Sequence, residues 1–114
     1  MQYVLLIYAS EAEGARMSEA EQEALMAAYF AFGEKYKEQI VSGSALLGTA
    51  TATTVRLRDG KTLSTDGPFA ETKEQLGGFY LVECKDLDEA IQIAADIPDA
   101  ARGSIEVRPP MLFD

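Results

Sequence analysis

The run Tyr3-Val-Leu-Leu-Ile-Tyr8 contains no charged residue and is built from aromatic, branched and other apolar side chains. Side chains alternate across a strand, so a strand made of this run is apolar on both faces. Such a strand suits the middle of a sheet, where neither face meets water for long. It is far too short to cross a bilayer, which takes about 20 apolar residues, and no basic segment precedes it as in a secretory leader. The whole chain, 114 residues, suits one domain over 1–114. A domain of this size buries roughly two-thirds of its unfolded surface and needs no disulfide or structural metal to hold a core.

Two helices carry clear start signals. Ser18-Glu-Ala-Glu21 has capping-box spacing, with Ser18 as N-cap and Glu21 reaching back. Behind it Leu25, Tyr29, Phe32, Tyr36 and Ile40 recur at steps of three and four, giving one apolar face. Gly43 is the expected stop, as a left-handed C-terminal residue. Ser10 to Met17 reads as a polar connector ahead of this helix. Asp86-Leu-Asp-Glu89 repeats the cap logic, and Leu87, Ala90, Ile91 and Ala94 make a shorter amphipathic helix that ends before Pro98.

The rest of the pattern is strand. Ala45-Leu-Leu47 is a short candidate, and Val55 to Leu63 reads as a hairpin around Asp59-Gly60. A two-residue loop would set Arg58 opposite Lys61. A three-residue loop with Gly60 left-handed sets Val55 opposite Leu63, and this register is expected. In Phe79-Tyr-Leu-Val-Glu-Cys84, Phe79 and Leu81 share one face, and Tyr80, Val82 and Cys84 the other. Ile105-Glu-Val-Arg108 alternates as a last strand, stopped by Pro109-Pro110. The order β-α-β-β-β-α-β predicts an α+β domain of ferredoxin type, with two helices on one face of an antiparallel sheet.

The composition excludes several functions. There are 10 Lys and Arg against 19 Asp and Glu, a net charge of −9. That sign opposes binding to nucleic-acid backbones, where affinity comes from cations releasing counterions. Absence of His removes imidazole bases and His-containing metal sites, and a single Cys removes an intrachain disulfide and Cys-only zinc sites. No cofactor is expected, no metal-loop spacing is present, and the chain reads as a soluble cytoplasmic protein.

The densest unusual segment is Asp66-Gly-Pro-Phe-Ala-Glu-Thr-Lys-Glu-Gln-Leu-Gly-Gly78. Gly67-Pro68 sets a turn, and Gly77-Gly78 allows close backbone approach at the start of a strand. The bland reading is an ordered structural loop in which Asp66 caps its own turn. The sharper reading is a binding loop. This motif, running on through Phe79-Tyr80, resembles the signature of the DGPF-type proteins of the YCII-related superfamily. Gly103-Ser-Ile-Glu-Val-Arg-Pro109 resembles that family's closing strand and Tyr3 to Tyr8 its opening one. The resemblance implies a ferredoxin-like fold that dimerises into an α+β barrel, in a bacterial protein. It implies no established activity. Some members lie beside, or fused to, extracytoplasmic-function sigma factors, which implies a regulatory link. Others carry a His–Asp pair in a cleft, which this chain, lacking His, cannot form.

Three functions follow as expectations. The first is a small-molecule-binding or regulatory domain with its pocket between the sheet and the Asp66–Gly78 loop, lined by Asp66, Phe69, Glu71 and Lys73 with Tyr8. The second is a cofactor-independent enzyme of proton-transfer or elimination type, with Asp66 as catalytic base, its pKa raised by burial near Phe69. The third is a protein-interaction module linked to sigma-factor regulation. Other residues read as structural: Cys84 as core, Glu106 and Arg108 as a surface pair, and Tyr29 and Tyr36 as part of the helix stripe with phenols at its edge. Asp66, Glu71 and Glu74 would make at best an unspecific oxygen site. Helices cover one sheet face, so the other would expose Val4, Leu6 and Tyr8, or their alternates in the strand, with one face of Phe79–Cys84. A homodimer that buries this patch is expected.

Overall fold

A computed structural model describes residues 1–113. Strand β1 (Gln2–Ala9) is followed by a short helix α1 (Glu11–Ala15), then α2 (Glu19–Lys35), β2 (Ile40–Ala45), β3 (Thr53–Arg58), β4 (Lys61–Asp66), β5 (Gln75–Glu83), α3 (Leu87–Asp96) and β6 (Ser104–Arg108). The apolar run takes the inner position expected of it. β1 pairs antiparallel with β5 on one side and β6 on the other, in a sheet of order β2-β5-β1-β6. With β3 and β4 set aside, this is the ferredoxin-like arrangement.

One face of the sheet carries the core. Tyr3, Leu5 and Ile7 of β1 and Val82 and Cys84 of β5 are buried against Phe32 of α2 and Ala90, Ile93 and Ala94 of α3. Burying a side chain such as Leu5, which is wholly inaccessible, contributes about 1.5–3 kcal/mol. Burial also raises the pKa of the Cys84 thiol, as befits an inert core residue. Among the described residues the opposite face has no covering layer, and Val4, Leu6, Tyr8, Phe79 and Leu81 lie on it half-buried.

Both cap signals hold. Ser18 Oγ accepts from Glu21 N at 3.1 Å while Glu21 Oε1 accepts from Ser18 N at 3.0 Å, and Asp86 Oδ1 accepts from Glu89 N at 2.9 Å. The connector expected over Ser10–Met17 contains α1, capped by the Ser10 hydroxyl.

The end of α2 differs from expectation. The helix stops at Lys35, and Ile40 to Ala45 form a strand in which Gly43 is an interior residue, not a helix terminus. Pairing with the open edge of β5 outweighs the helical periodicity that Ile40 continues. Gly43 is required there for space: a Cβ on it would sit 2.8 Å from Phe79 O and 2.8 Å from the Tyr80 ring. Leu46 and Leu47, expected in a strand, follow β2 as exposed loop.

The hairpin register also differs. Arg56 faces Leu63 and Arg58 faces Lys61, across a two-residue turn with positive φ at both Asp59 (51°) and Gly60 (74°). Those angles meet the requirement of a type I′ turn. Matching Val55 to Leu63 would be rewarded only by burial, and the strands are exposed on both faces, so the turn decides. The like charges meet at a solvated tip, where repulsion is screened. β3 and β4 form their own two-stranded sheet, inserted between the second and third strands of the ferredoxin unit.

The landing of the Asp66–Gly78 loop is tight. Ile7 pairs with Gly78 and Tyr8 with Leu76, so Gly77 is an extra residue in β5, a bulge. A Cβ on Gly78 would lie 2.7 Å from Ser44 O and 3.3 Å from Ala45 Cα, both backbone atoms of β2. We expect Gly78→Val to destabilise the fold by about 1–3 kcal/mol, as when a special backbone site is lost. An unchanged denaturant midpoint would show that β2 does not approach β5 this closely.

Candidate functional site

Small side chains on the helix side of the sheet leave a space at one end of the molecule. Gly43 and Ala45 of β2 and Gly78 of β5 pave its floor beside Ile7, where larger residues would meet the helix layer. Gly14 of α1, Tyr29 of α2 and the turn Pro98–Ala101 enclose it from the other side, and Leu46, Leu47 and Gly48 form a lip. The result is a half-open cavity of about 590 Å³. Its wall near the lip is tied to the sheet by Leu46 N, which donates to Gly77 O at 2.9 Å.

The chemistry of the cavity is concentrated on one carboxylate. Asp99 is buried, the one buried charged residue among those described. Tyr29 donates its hydroxyl proton to Asp99 Oδ2 at 2.5 Å, and Arg102 donates from Nε to Asp99 Oδ1 at 2.7 Å. A charge in that position is costly unless paired and hydrogen-bonded, and both carboxylate oxygens are satisfied here. Burial, then the bond to Asp99 and its charge, hold the Tyr29 phenol well above the usual tyrosine range, so it is a neutral donor at physiological pH. Tyr80, also in the wall, is raised by burial alone. Arg102 Nη1 and Nη2 make no hydrogen bond among the described residues and lie toward Gly14, whose added Cβ would be 3.7 and 3.8 Å from them. The triad therefore offers two free N–H-bearing nitrogens and the lone pairs of the Tyr29 oxygen, and its formal charges cancel; Ser10, Glu11, Ser44, Gln75 and Tyr80 add further polar groups to the wall.

Residues marked in the sequence fall in three places. Gly77 and Gly78, with Gln75, line this cavity. Gly67, Pro68 and Glu71 line a second, shallower depression shared with Glu11 and Thr49. Asp66 ends β4 exposed to solvent and pairs across to Thr53; Phe69 is 80% exposed, and Lys73 is exposed. Tyr8 points to the uncovered face of the sheet, opposite Ser104 of β6. Neither Asp66, Phe69, Lys73 nor Tyr8 lines either recess. Glu74 accepts from Ser104 Oγ at 2.9 Å, and no group of three His, Cys, Asp or Glu that could hold a metal exists among the described residues.

Nothing in the sequence marks Asp99 or Arg102 as a site, and the spacing of Tyr29 places it in the helix stripe. An Asp after Pro98 with Arg three residues on is the ordinary composition of a turn, and Tyr29 does keep the stripe's spacing. Only the meeting of α2 with that turn, across 70 residues, distinguishes them.

The fold and recess together define a ferredoxin-like α+β protein with a cavity under its helices. The chain belongs to the YCII-related domain family, whose model matches residues 1–114. An uncharacterised protein of Rhizobium meliloti (strain 1021) is 44% identical over 117 residues, which take in 99% of this chain and 94% of that one. Among solved structures, a 5-chloro-2-hydroxyhydroquinone dehydrochlorinase from Burkholderia phenoliruptrix AC1100, in complex with 2,5-dihydroxybenzoquinone, shares the fold. Its TM-score is 0.58 at 18% identity, covering 97% of this chain and 94% of that chain. Among the described residues no helix is long and apolar enough to cross a membrane.

Tyr29→Phe leaves Asp99 Oδ2 without a donor, and we expect a loss of about 1–3 kcal/mol in chemical denaturation. The pH dependence has a definite sign. The folded pKa of Tyr29 lies above its unfolded value, so its contribution is full below about pH 10 and is lost as pH climbs from there toward the folded value. In an alkaline absorbance titration, one of the five tyrosines should stay protonated until the protein unfolds, and Tyr29→Phe should abolish that late step. A late step that persists in the variant would assign it elsewhere.

Proposed function

We propose that this YCII-family protein binds a small molecule in the cavity of Tyr29, Asp99 and Arg102. The observation that carries this reading is the clasped, buried Asp99 in a 590 Å³ recess whose walls are mostly apolar and glycine residues, with Ser10, Glu11, Ser44 and Gln75 among them. Ligand sites commonly have about 300–1,000 Å³, apolar walls and a few convergent polar groups. Asp99 and Arg102 cancel and the Glu11 carboxylate is engaged by Thr49, so the ligand is a compact, mainly apolar molecule with one or two oxygens. One oxygen accepts from the Arg102 Nη groups and a hydroxyl donates to the Tyr29 oxygen. The fold neighbour's complex holds a single oxygenated ring, and a ring of that size is in keeping with this volume.

A second reading has its own observation. A phenol in hydrogen-bond contact with a carboxylate can pass a proton: a ligand hydroxyl gives its proton to the Tyr29 oxygen as the Tyr29 proton moves to Asp99. Proton-transfer chemistry thus has better-placed groups in this pair than in the exposed Asp66.

The uncovered sheet face supports a homodimer. Val4, Leu6, Tyr8, Phe79 and Leu81 form a contiguous apolar surface with Glu83, Glu106 and Arg108 at its margin, and a second copy stacked on it would hide that surface. A single buried, unpaired thiol suits a reducing compartment, and we place the protein in the cytoplasm.

A thermal-shift screen of hydroxylated aromatics and hydroxy-carbonyl acids tests the site. A ligand at 100 times its Kd adds about 2.7 kcal/mol to native stability. For a hit, Tyr29→Phe and Arg102→Gln should each weaken binding at least tenfold, while Asp66→Asn leaves it unchanged. The reverse pattern would move the site to the Asp66–Gly78 loop. Conversion of the hit by wild type but not by Tyr29→Phe would select the proton-transfer reading.

A further inference from the structure

The β3–β4 hairpin has nothing to pack on within its own chain. Every residue from Val55 to Asp66 is exposed, and Val55 and Leu57, 64% and 65% exposed, stand side by side on one face. A two-stranded ribbon is at best marginally stable in water, so a partner surface is needed to hold it. The overall dimensions show the same overhang. The radius of gyration is 16.1 Å, against about 13 Å for a compact domain of this length. The molecule is a slab of 47 × 47 × 18 Å, broader than a compact domain of this length.

Charge points to what the arm meets. It carries three cations, Arg56, Arg58 and Lys61, against two carboxylates, Asp59 and Asp66, in a chain of net charge −9. The cations share the face opposite Val55 and Leu57, with Leu63 among them. The body has the complement: from Glu11 to Glu23 there are five glutamates and one arginine, all exposed. The side chains of Glu13, Glu19 and Glu23 make no hydrogen bond or ion pair among the described residues. Pairing of two arms edge to edge would bring like charges together and is disfavoured. An identical molecule, by contrast, presents an acidic surface to a basic arm.

We propose that the β3–β4 hairpin is an arm that docks on the acidic α1–α2 segment of a second copy of this chain. This rests on the homodimer proposed above and adds to it a contact outside the sheet face. The arm is about 20 Å long for six residues per strand, twice the spacing of about 10 Å between stacked sheets, which is long enough to bridge to a neighbouring copy. Val55 and Leu57 supply apolar contact along one face of the arm, and the cations set its register and speed association.

Sedimentation equilibrium at low and at 0.5 M salt, with far-UV circular dichroism to confirm folding, decides the matter. Arg56→Glu/Arg58→Glu is expected to raise the dimer Kd at least tenfold at low salt, with the gap to wild type closing at high salt. Mixing it with Glu19→Lys/Glu23→Lys should restore association as a heterodimer. An arm variant that dimerises like wild type overturns the proposal, and so does a mixture that stays dissociated. If Leu6→Asp dissociates the protein while the arm variant does not, the sheet-face dimer stands and the arm contact falls. If Leu6→Asp still dimerises and the arm variant dissociates, the arm stands and the sheet face falls. A wild type that is monomeric at 100 μM overturns both.

Discussion

The central position of β1 is the constraint on which the remainder depends. A strand with apolar side chains on both faces needs a strand on each edge and cover on each face. β5 and β6 supply the edges, and α2 and α3 cover Tyr3, Leu5 and Ile7. No layer among the described residues covers Val4, Leu6 and Tyr8. The same alternation that builds the core therefore leaves an apolar sheet face on the outside, and the economy of a ferredoxin-like unit, with all its helices on one side, cannot remove it.

The cavity is a consequence of where the sheet is thin. β2 and β5 approach so closely that Gly43 and Gly78 have no room for a Cβ. The glycines that permit this approach also strip the helix-facing surface of side chains, and the helix layer does not collapse into the gap. It is held off by a polar clasp, Tyr29 and Arg102 on Asp99, where an apolar contact would have closed the space. Close packing on one side of the sheet edge and a recess on the other are thus two effects of one local composition. Site and scaffold share residues, so substitutions on the floor are felt in stability as well as in binding.

The hairpin shows what happens when tertiary contacts are missing. Inside the main sheet, burial selects the register and even converts the end of a helical pattern into a strand, as at Ile40 to Ala45. Outside it, at β3–β4, no burial is available and the turn residues Asp59 and Gly60 select the register against the apolar match. Local turn chemistry governs where the chain is solvated, and long-range pairing governs where it is packed.

The amino-acid sequence by itself determined the inner strand, both helix N-caps, the closing strand, the face assignment of Phe79 to Cys84 and the family. These rest on periodicity, capping and motif, which are short-range and need only neighbouring residues to be read. The end of α2, the separate hairpin sheet and the Tyr29–Asp99–Arg102 cavity were decided by the tertiary structure alone. A helix end that yields to a sheet edge is settled by a partner strand about 40 residues downstream. The value of Asp99 comes from a phenol 70 residues away. Sequence spacing carries no record of such meetings, because a carboxylate becomes a site only when folding takes it from water and leaves it with two chosen partners.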